Sequence, residues 1–466
     1  MKIKELIGPW SFYRRTLMIA VPVMVQNLIT NFVALIDNIM VGQVGTEQMS
    51  GVAIVNQILF VFNLAVFGSL SGAGIFCAQL FGKRDYEGVR STFRFKLLTV
   101  FGIVALGTGI LLVFGEDLIR MYLHDTEKGI DPELTFQCAK DYMRIMLVGL
   151  LPFALESAYS GTLREGGIAL PPMIAGIAAV ITNTLLNYLL IFGIGIFPEL
   201  GVRGAAYATV ISRFVQAAIV IVWTHANKSK LPYMEGLYRS FKIPSELAKR
   251  ITIKGLIPLT ANECCWAAGV AMLAQCYSYR GIDVVAAQNI ASTTVNLFNV
   301  MFIAFGSGVS VVIGQLLGAN DLEGAKKGAP RLLAFAAAIC IVVGTVMASL
   351  SGLFPQAYKT TDDVRELASA FIFISAVLMP VHGILHSSYF ILRSGGKTLI
   401  TFLFDSCFSW GVSVPLAYCL SRFTSLDIVT IYLAVQSAEA IKLVIGLILI
   451  KKGVWLSNIV GDKKLS

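Results

Sequence analysis

Charge is what this chain has least of. Only 14 % of its 466 residues are Asp, Glu, Lys or Arg, against about 25 % in an ordinary soluble domain, and that scarcity excludes a water-soluble fold. Histidine is rarer still, at four residues. His382 and His386, in HGILH, have i, i+4 spacing but lack the Glu of HExxH, and the eight cysteines form no CxxC, so no zinc set is expected. Cys77, Cys264, Cys265, Cys340 and Cys407 fall inside apolar runs and read as reduced thiols. GxSxG and paired catalytic acids at helical spacing are missing, which argues against a membrane-embedded enzyme. The formal charge of +9 is spread over short loops, not gathered into one basic stripe, so nucleic acid is not an expected partner.

What the chain has is apolar length. Hydrophobic residues make up 56 % of it and its mean hydropathy is +0.74. Runs of roughly 20 apolar residues, enough to cross about 30 Å of hydrocarbon as helix, recur about twelve times. They lie near 16–41, 52–80, 92–114, 137–160, 170–196, 204–225, 252–277, 284–316, 330–352, 366–391, 398–420 and 427–450. The start, MKIKELIGPWSFYRR, is polar and has no small-residue cleavage site, so the first helix is expected to be its own insertion signal. Basic residues collect in cytoplasmic loops. Placing the N-terminus inside puts 26 of the 37 Lys and Arg residues there, including Lys2, Lys4, Lys463 and Lys464. Both termini are therefore expected in the cytoplasm of a multi-pass protein of the cell (inner) membrane.

The chain repeats itself. QLFGKRDYEG at 79–88 returns as QLLGANDLEG at 315–324, six identities in ten at an offset of 236 that also pairs Pro22 with Pro258 and Gly45 with Gly281. TLREGGIAL at 162–170 returns as ILRSGGKTL at 391–399, the offset shortened to 229 by a longer loop around 115–133 in the first copy. Two copies of six spans have the same orientation in the membrane, a parallel repeat about an axis along the membrane normal. The expected organisation is an N-terminal six-helix lobe at 1–226, a basic cytoplasmic linker at 227–250 and a C-terminal six-helix lobe at 251–466. Rocking of one bundle against the other would give alternating access.

The pattern P(22)…LIDNIMVGQVG, the two Q-L-x-G loops, the two LRxGG loops and NTLLNYLLIFGIGIFPELGVRGAAYAT at 183–209 resemble the multidrug and toxic compound extrusion (MATE) family of the MOP flippase superfamily. The resemblance runs nearly the whole length. It implies an all-α integral membrane protein of twelve helices, pseudo-symmetric and V-shaped. Its members export cationic or amphipathic organic compounds in exchange for H+ or Na+, with no cofactor and as monomers. In the family, the acid of the first span, two positions of the fifth and a Thr of the sixth form a cation site, which here are Asp37, Asn183, Asn187 and Thr209. Asn187 stands where some members carry Asp. Carboxylate, amide and hydroxyl oxygens suit Na+, and a carboxyl alone serves a proton.

Of the ionisable residues within these bounds, seven are singled out: Asp37, Glu156, Arg213, Glu263, Asp405, Glu439 and Lys442. An intramembrane charge costs about 2.5–3.5 kcal/mol even on lenient scales, so each needs a partner, water or a proton. Glu439 and Lys442 are spaced to pair on one helix, and Glu156 has Arg164 nearby. No local partner is legible for Arg213 or Asp405. Glu263 resembles the seventh-span Glu that works with a tenth-span Asp in one branch of the family. The tenth-span position here is His382, so a second coupling site at Glu263 and His382 is expected to respond to protons. The repeat places Leu273, not an acid, opposite Asp37. The rival functions are a flippase for a lipid-linked saccharide, which calls for a basic cavity, and a channel, which has less use for discrete ion ligands.

Overall fold

The computed structural model describes residues 7–123, 131–358 and 360–461. Lys2, Lys4, Lys463, Lys464 and the centre of the 115–133 loop lie outside the described residues. Among those described, every regular element is helical, as hydrocarbon demands: with no water to bond, backbone N–H and C=O groups must satisfy one another within the segment.

The elements are α1 (Trp10–Gly42), α2 (Thr46–Lys83), α3 (Tyr86–Met121), α4 (Pro132–Val148), α5 (Leu150–Glu165), α6 (Leu170–Phe192) and α7 (Val202–Ala226). After a stretch with two short 3₁₀ turns come α8 (Ser245–Ile251), α9 (Ile257–Ser278), α10 (Ile282–Gly318), α11 (Leu322–Leu350) and α12 (Asp362–Ser394). The chain ends with α13 (Thr398–Phe402), α14 (Val414–Phe423) and α15 (Ile428–Lys451). Eleven segments are long and apolar enough to span; α4 and α5, bent by 45° at Gly149, make a twelfth when counted together. The number is that expected from hydropathy, but the helices overrun the apolar runs: α2 is 38 residues long and α10 is 37.

Two segments that read as single spans are continuous helices with π turns inserted. Thr252–Leu256 joins α8 to α9 two residues ahead of Pro258, and Ser409–Ser413 leads into α14 two residues ahead of Pro415. A proline ring clashes with the carbonyl four residues before it. Widening the preceding turn relieves that clash without breaking the span.

By contacts the described chain divides into two compact units. One comprises the chain up to Met24, Ala78–Asp85 and everything from Arg250 on; the other comprises Val25–Cys77 and Tyr86–Lys249. The 227–249 stretch belongs with α3, whose arginines hold it. Arg94 donates to the carbonyls of Leu237 at 2.8 Å and Gly236 at 2.7 Å, and Arg90 to that of Tyr233 at 3.3 Å. Tyr233 is almost fully buried there.

The repeat motif explains why the last turn of α2 joins the other unit. A Cβ on Gly82 would run into the carbonyl of Gln315, and one on Gly318 into the carbonyl of Gln79. The two Q-L-x-G copies thus cross with reciprocal backbone approach, which only glycine allows. Gln79, fully buried, donates to the carbonyls of Ser394 at 2.8 Å and Ser457 at 3.1 Å and accepts from the amide of Ile459 at 2.9 Å. Lys83 donates to the carbonyl of Val460 at 3.1 Å, and Trp455 and Val460 are buried. At the other copy Gln315 accepts from Arg15 at 2.5 Å. Each motif glutamine is therefore completed by a segment near one end of the chain.

Gly318→Val is expected to destabilise the purified protein by about 1–3 kcal/mol, the usual range for overpacking. Its thermal midpoint should fall by several degrees, while Gly102→Ala, whose Cβ meets nothing within 4 Å, should leave it unchanged.

Candidate functional site

The site begins with a tight connection between α6 and α7. Gly193 ends α6 in the left-handed conformation at φ 66°, and the amides of Leu200 and Gly201 close its last carbonyls at 2.9 and 3.3 Å. α7 then packs directly on α6: a Cβ on Gly204 would meet the Leu190 carbonyl, and Ala205, Ala206 and Ala208 are buried beside it. Small residues let the helix backbones approach, and Thr209 is brought level with Asn183. Asn183 and Asn187, one turn apart on α6, are both buried and share a face.

Against that face lies Asp37, half-buried on α1. Asn187 Nδ2 donates to Asp37 Oδ1 at 2.6 Å. Asn183, with its amide nitrogen turned to the carboxylate, donates to Oδ1 and Oδ2 at 3.0 and 2.8 Å, an orientation set by the hydrogen-bonding partners. Thr209 Oγ1 lies 3.3 Å from the same amide. Asp37, Asn183, Asn187 and Thr209 therefore form one hydrogen-bonded cluster within a single unit. One atom in it is left over: Asn187 Oδ1 is buried and has no hydrogen-bond partner among the described residues. An amide oxygen beside a carboxylate is a ligand pair for a monovalent cation, and equally an acceptor for a protonated carboxyl.

The cluster extends to residues that sequence reasoning missed. Tyr142 of α4 reaches Thr209 and Asn56 with its hydroxyl, yet a lone tyrosine in an apolar run gives no signal in the sequence. Next to Tyr142, Arg213 donates to the Gly149 carbonyl at 3.4 Å and lies 5.1 Å from the centre of the Phe153 ring. The partners illegible in the sequence are thus a carbonyl at the α4–α5 bend and an aromatic face. Glu156 accepts from Ser160 at 2.5 Å, with Arg164 among its charged neighbours.

In the other unit, the expected pair Glu263 and His382 is not brought together: no hydrogen bond joins them among the described residues. The charged neighbours of Glu263, on α9, are Arg393 and Asp405, whereas those of His382, on α12, are His386 and Lys442. The Glu439–Lys442 pair forms at 2.8 Å, and Lys442 also binds Asp405 at 3.1 Å. A further buried ion pair lies at Lys96, fully buried on α3, 2.5 Å from Glu165 of LREGG and 3.2 Å from Thr162.

Twelve apolar segments built on a repeat, with a carboxylate held among amides inside one unit, define a polytopic membrane transporter. The MatE family profile matches residues 22–189 and 258–419, and the chain belongs to that family. It is 25 % identical over 450 residues to the probable multidrug resistance protein NorM of Thermotoga maritima, covering 94 % of this chain and 92 % of that one. To the probable multidrug resistance protein YoeA of Bacillus subtilis it is 23 % identical over 446 residues, covering 93 % and 92 %. Its fold matches that of an outward-facing multidrug resistance MATE transporter of the MOP superfamily, at a TM-score of 0.84 and 17 % identity over 97 % of each chain. A MATE transporter of Vibrio cholerae matches at 0.85 and 16 % identity, over 96 % of this chain and 98 % of that one.

Removing one partner of a buried ion pair typically costs about 3–5 kcal/mol. Lys96→Met, which strands Glu165, is expected to lower the thermal midpoint of the purified protein far more than Arg144→Met, whose partner Glu116 is exposed. Lys96→Met/Glu165→Leu should recover most of the loss.

Proposed function

We propose that the chain is a secondary active antiporter that exports cationic or amphipathic organic compounds from the cytoplasm in exchange for H+ or Na+, with Asp37 as the seat of the ion. The observation that carries this is the Asp37 cluster: a half-buried carboxylate held by two amides, with the Asn187 oxygen left without a partner among the described residues. The names of the curated relatives, multidrug resistance proteins over nearly the whole length of each chain, support the cargo class. The basic loops support a cell-membrane protein with both termini in the cytoplasm.

In this reading, H+ or Na+ binds Asp37 from the outside and neutralises it. An anionic carboxylate attracts an organic cation and a neutral one does not, so uptake of the ion releases the substrate, and return of the ion to the cytoplasm restores affinity. One charge moving inward draws about 2.3 kcal/mol per 100 mV, enough to sustain a substantial gradient of cargo. Proton and sodium make different demands. Na+ would take oxygens from Asp37, Asn187 and Thr209 together, whereas a proton needs Asp37 and one acceptor.

Everted membrane vesicles loaded with a fluorescent organic cation separate these alternatives. Ion-driven accumulation should occur with the wild-type chain and fall at least tenfold in Asp37→Asn. Asn187→Leu, which keeps the acid but removes its amide neighbour, should abolish a Na+ response while sparing a H+ response. Normal ion-driven transport by Asp37→Asn would refute the reading.

A further inference from the structure

Each copy of the repeat closes its long helix in the same way. In GKRD at 82–85 and GAND at 318–321, the third residue takes the left-handed conformation, Arg84 at φ 59° and Asn320 at φ 60°. The amides of Asp85 and Asp321 then fold back on the carbonyls of Leu80 and Leu316, at 3.0 Å each. Glycine or asparagine holds that conformation at little cost, and arginine does not. The backbone accounts for Asn320 and leaves Arg84 to be explained by its side chain.

The glycine crossing brings these two helix ends together, and both left-handed residues line one open cavity of about 440 Å³. It lies wholly within the unit that holds residues 78–85 and the chain from Arg250 on, and its volume is within the range of about 300–1,000 Å³ usual for small-molecule sites. Lys83, Arg84, Asn320, Asn458 and Gly461 line it together with the crossing glycines. Arg84 is exposed, and among the described residues its guanidinium has no hydrogen bond or ion pair; the Asn320 amide is equally free. Lys83 donates to the carbonyl of Val460 at 3.1 Å and lies 3.6 Å from Asp85, and Asn458 Nδ2 donates to the carbonyl of Gly318 at 3.4 Å. An ammonium has three N–H donors and an amide two, so both have capacity to spare.

The donors decide what fits. No Asp or Glu lines the cavity, and the acids next to it in sequence are turned elsewhere: Asp85 toward Lys83, and Asp321 Oδ1 to the amide of Gly324 at 2.8 Å. Two cations and two amides call for an anion. A guanidinium fork takes two phosphate oxygens side by side. Further donors reaching in from other directions match a tetrahedral set of oxygens better than the flat pair of a carboxylate.

We propose that this cavity binds one phosphate-class anion, either free phosphate or the phosphate of an anionic lipid headgroup, seated on Arg84 with Lys83, Asn320 and Asn458 around it. Both cations come from the first copy of the repeat, since the second has Ala319 and Asn320 in their places, so the crossing makes one site per chain. The bound anion joins three stretches of one unit: the two helix ends and the segment that carries Asn458 and Gly461. The site is separate from the ion seat at Asp37 and does not rest on the exporter reading.

The test is isothermal titration calorimetry on the full-length protein in a neutral detergent, with inorganic phosphate and soluble short-chain phosphatidylglycerol as probes. At least one is expected to bind at one site per chain. Binding of phosphate alone marks a site for the free anion, and tighter binding of phosphatidylglycerol marks a headgroup site. Arg84→Gln should weaken the binding by about tenfold or more, the usual loss of a charge-assisted hydrogen bond, and Arg84→Lys, which keeps the charge without the fork, by less. The Arg84 side chain holds nothing else in the fold, so both variants should be folded. Arg239→Gln, at an exposed arginine of the 227–249 stretch, should change nothing. Binding equal in the wild type and Arg84→Gln, absent for both probes, or matched by acetate at the same concentration would overturn the proposal. Failure of dye export by the wild-type chain would sink the exporter reading and leave these isotherms untouched.

Discussion

An ionised side chain in hydrocarbon must be given a partner by the protein, because the solvent gives none. This constraint arranges most of what is distinctive in the chain. It places Lys96 against Glu165, Lys442 between Asp405 and Glu439, and Arg213 over Phe153 beside a carbonyl. Each of these is closed with charge against charge or against a ring. The Asp37 cluster is made differently: among the described residues the carboxylate is met by neutral amides, and the Asn187 oxygen remains unpaired. A group balanced by neutral donors alone carries a net charge into the membrane, and that is the condition for an exchangeable ion.

Much of this was legible in the sequence, for physical reasons. Helix length in a bilayer is dictated by hydrocarbon thickness, so counting apolar runs recovers the twelve segments. Asn183 and Asn187 share a face because they are four apart on one helix. The lateral neighbours of a helix leave no such trace. The partner of Asp405 is 37 residues away on α15, and that of Lys96 is 69 residues away on α5. Periodicity says which face of a span is polar and is silent on which other span it meets. Likewise no hydrogen bond joins Glu263 to His382 among the described residues: the charged neighbours of Glu263 are Arg393 and Asp405, and those of His382 are His386 and Lys442.

The duplication is kept where backbones touch and given up where charges sit. Gly82 and Gly318 are both retained, since each faces the carbonyl of the other copy's glutamine. Asp37 has become Leu273 in the second copy, Lys96 has become Leu332, and Glu165 has become Ser394. Sterics at a helix crossing tolerate no alternative to glycine, whereas a charge can be moved to any helix that supplies its partner. The second copy has done that, collecting its charges at α9, α12, the 403–413 segment and α15.

The hydrogen bonds of Gln79 set an order of events in biosynthesis. Its side chain is buried and is completed by backbone groups of Ser457 and Ile459, 378 residues or more further along. At translation rates of about 5–20 residues per second, those residues follow roughly 20 to 75 s after Gln79 itself has been made. Until Ser394 is made the last turn of α2 holds a polar side chain without its native partners, and the segment around Ser457 and Ile459 completes it. A ribosome that stalls or a chain truncated before Trp455 therefore leaves α2 unfinished near the beginning of the protein, far in sequence from the defect, where the quality control of the membrane would meet it first.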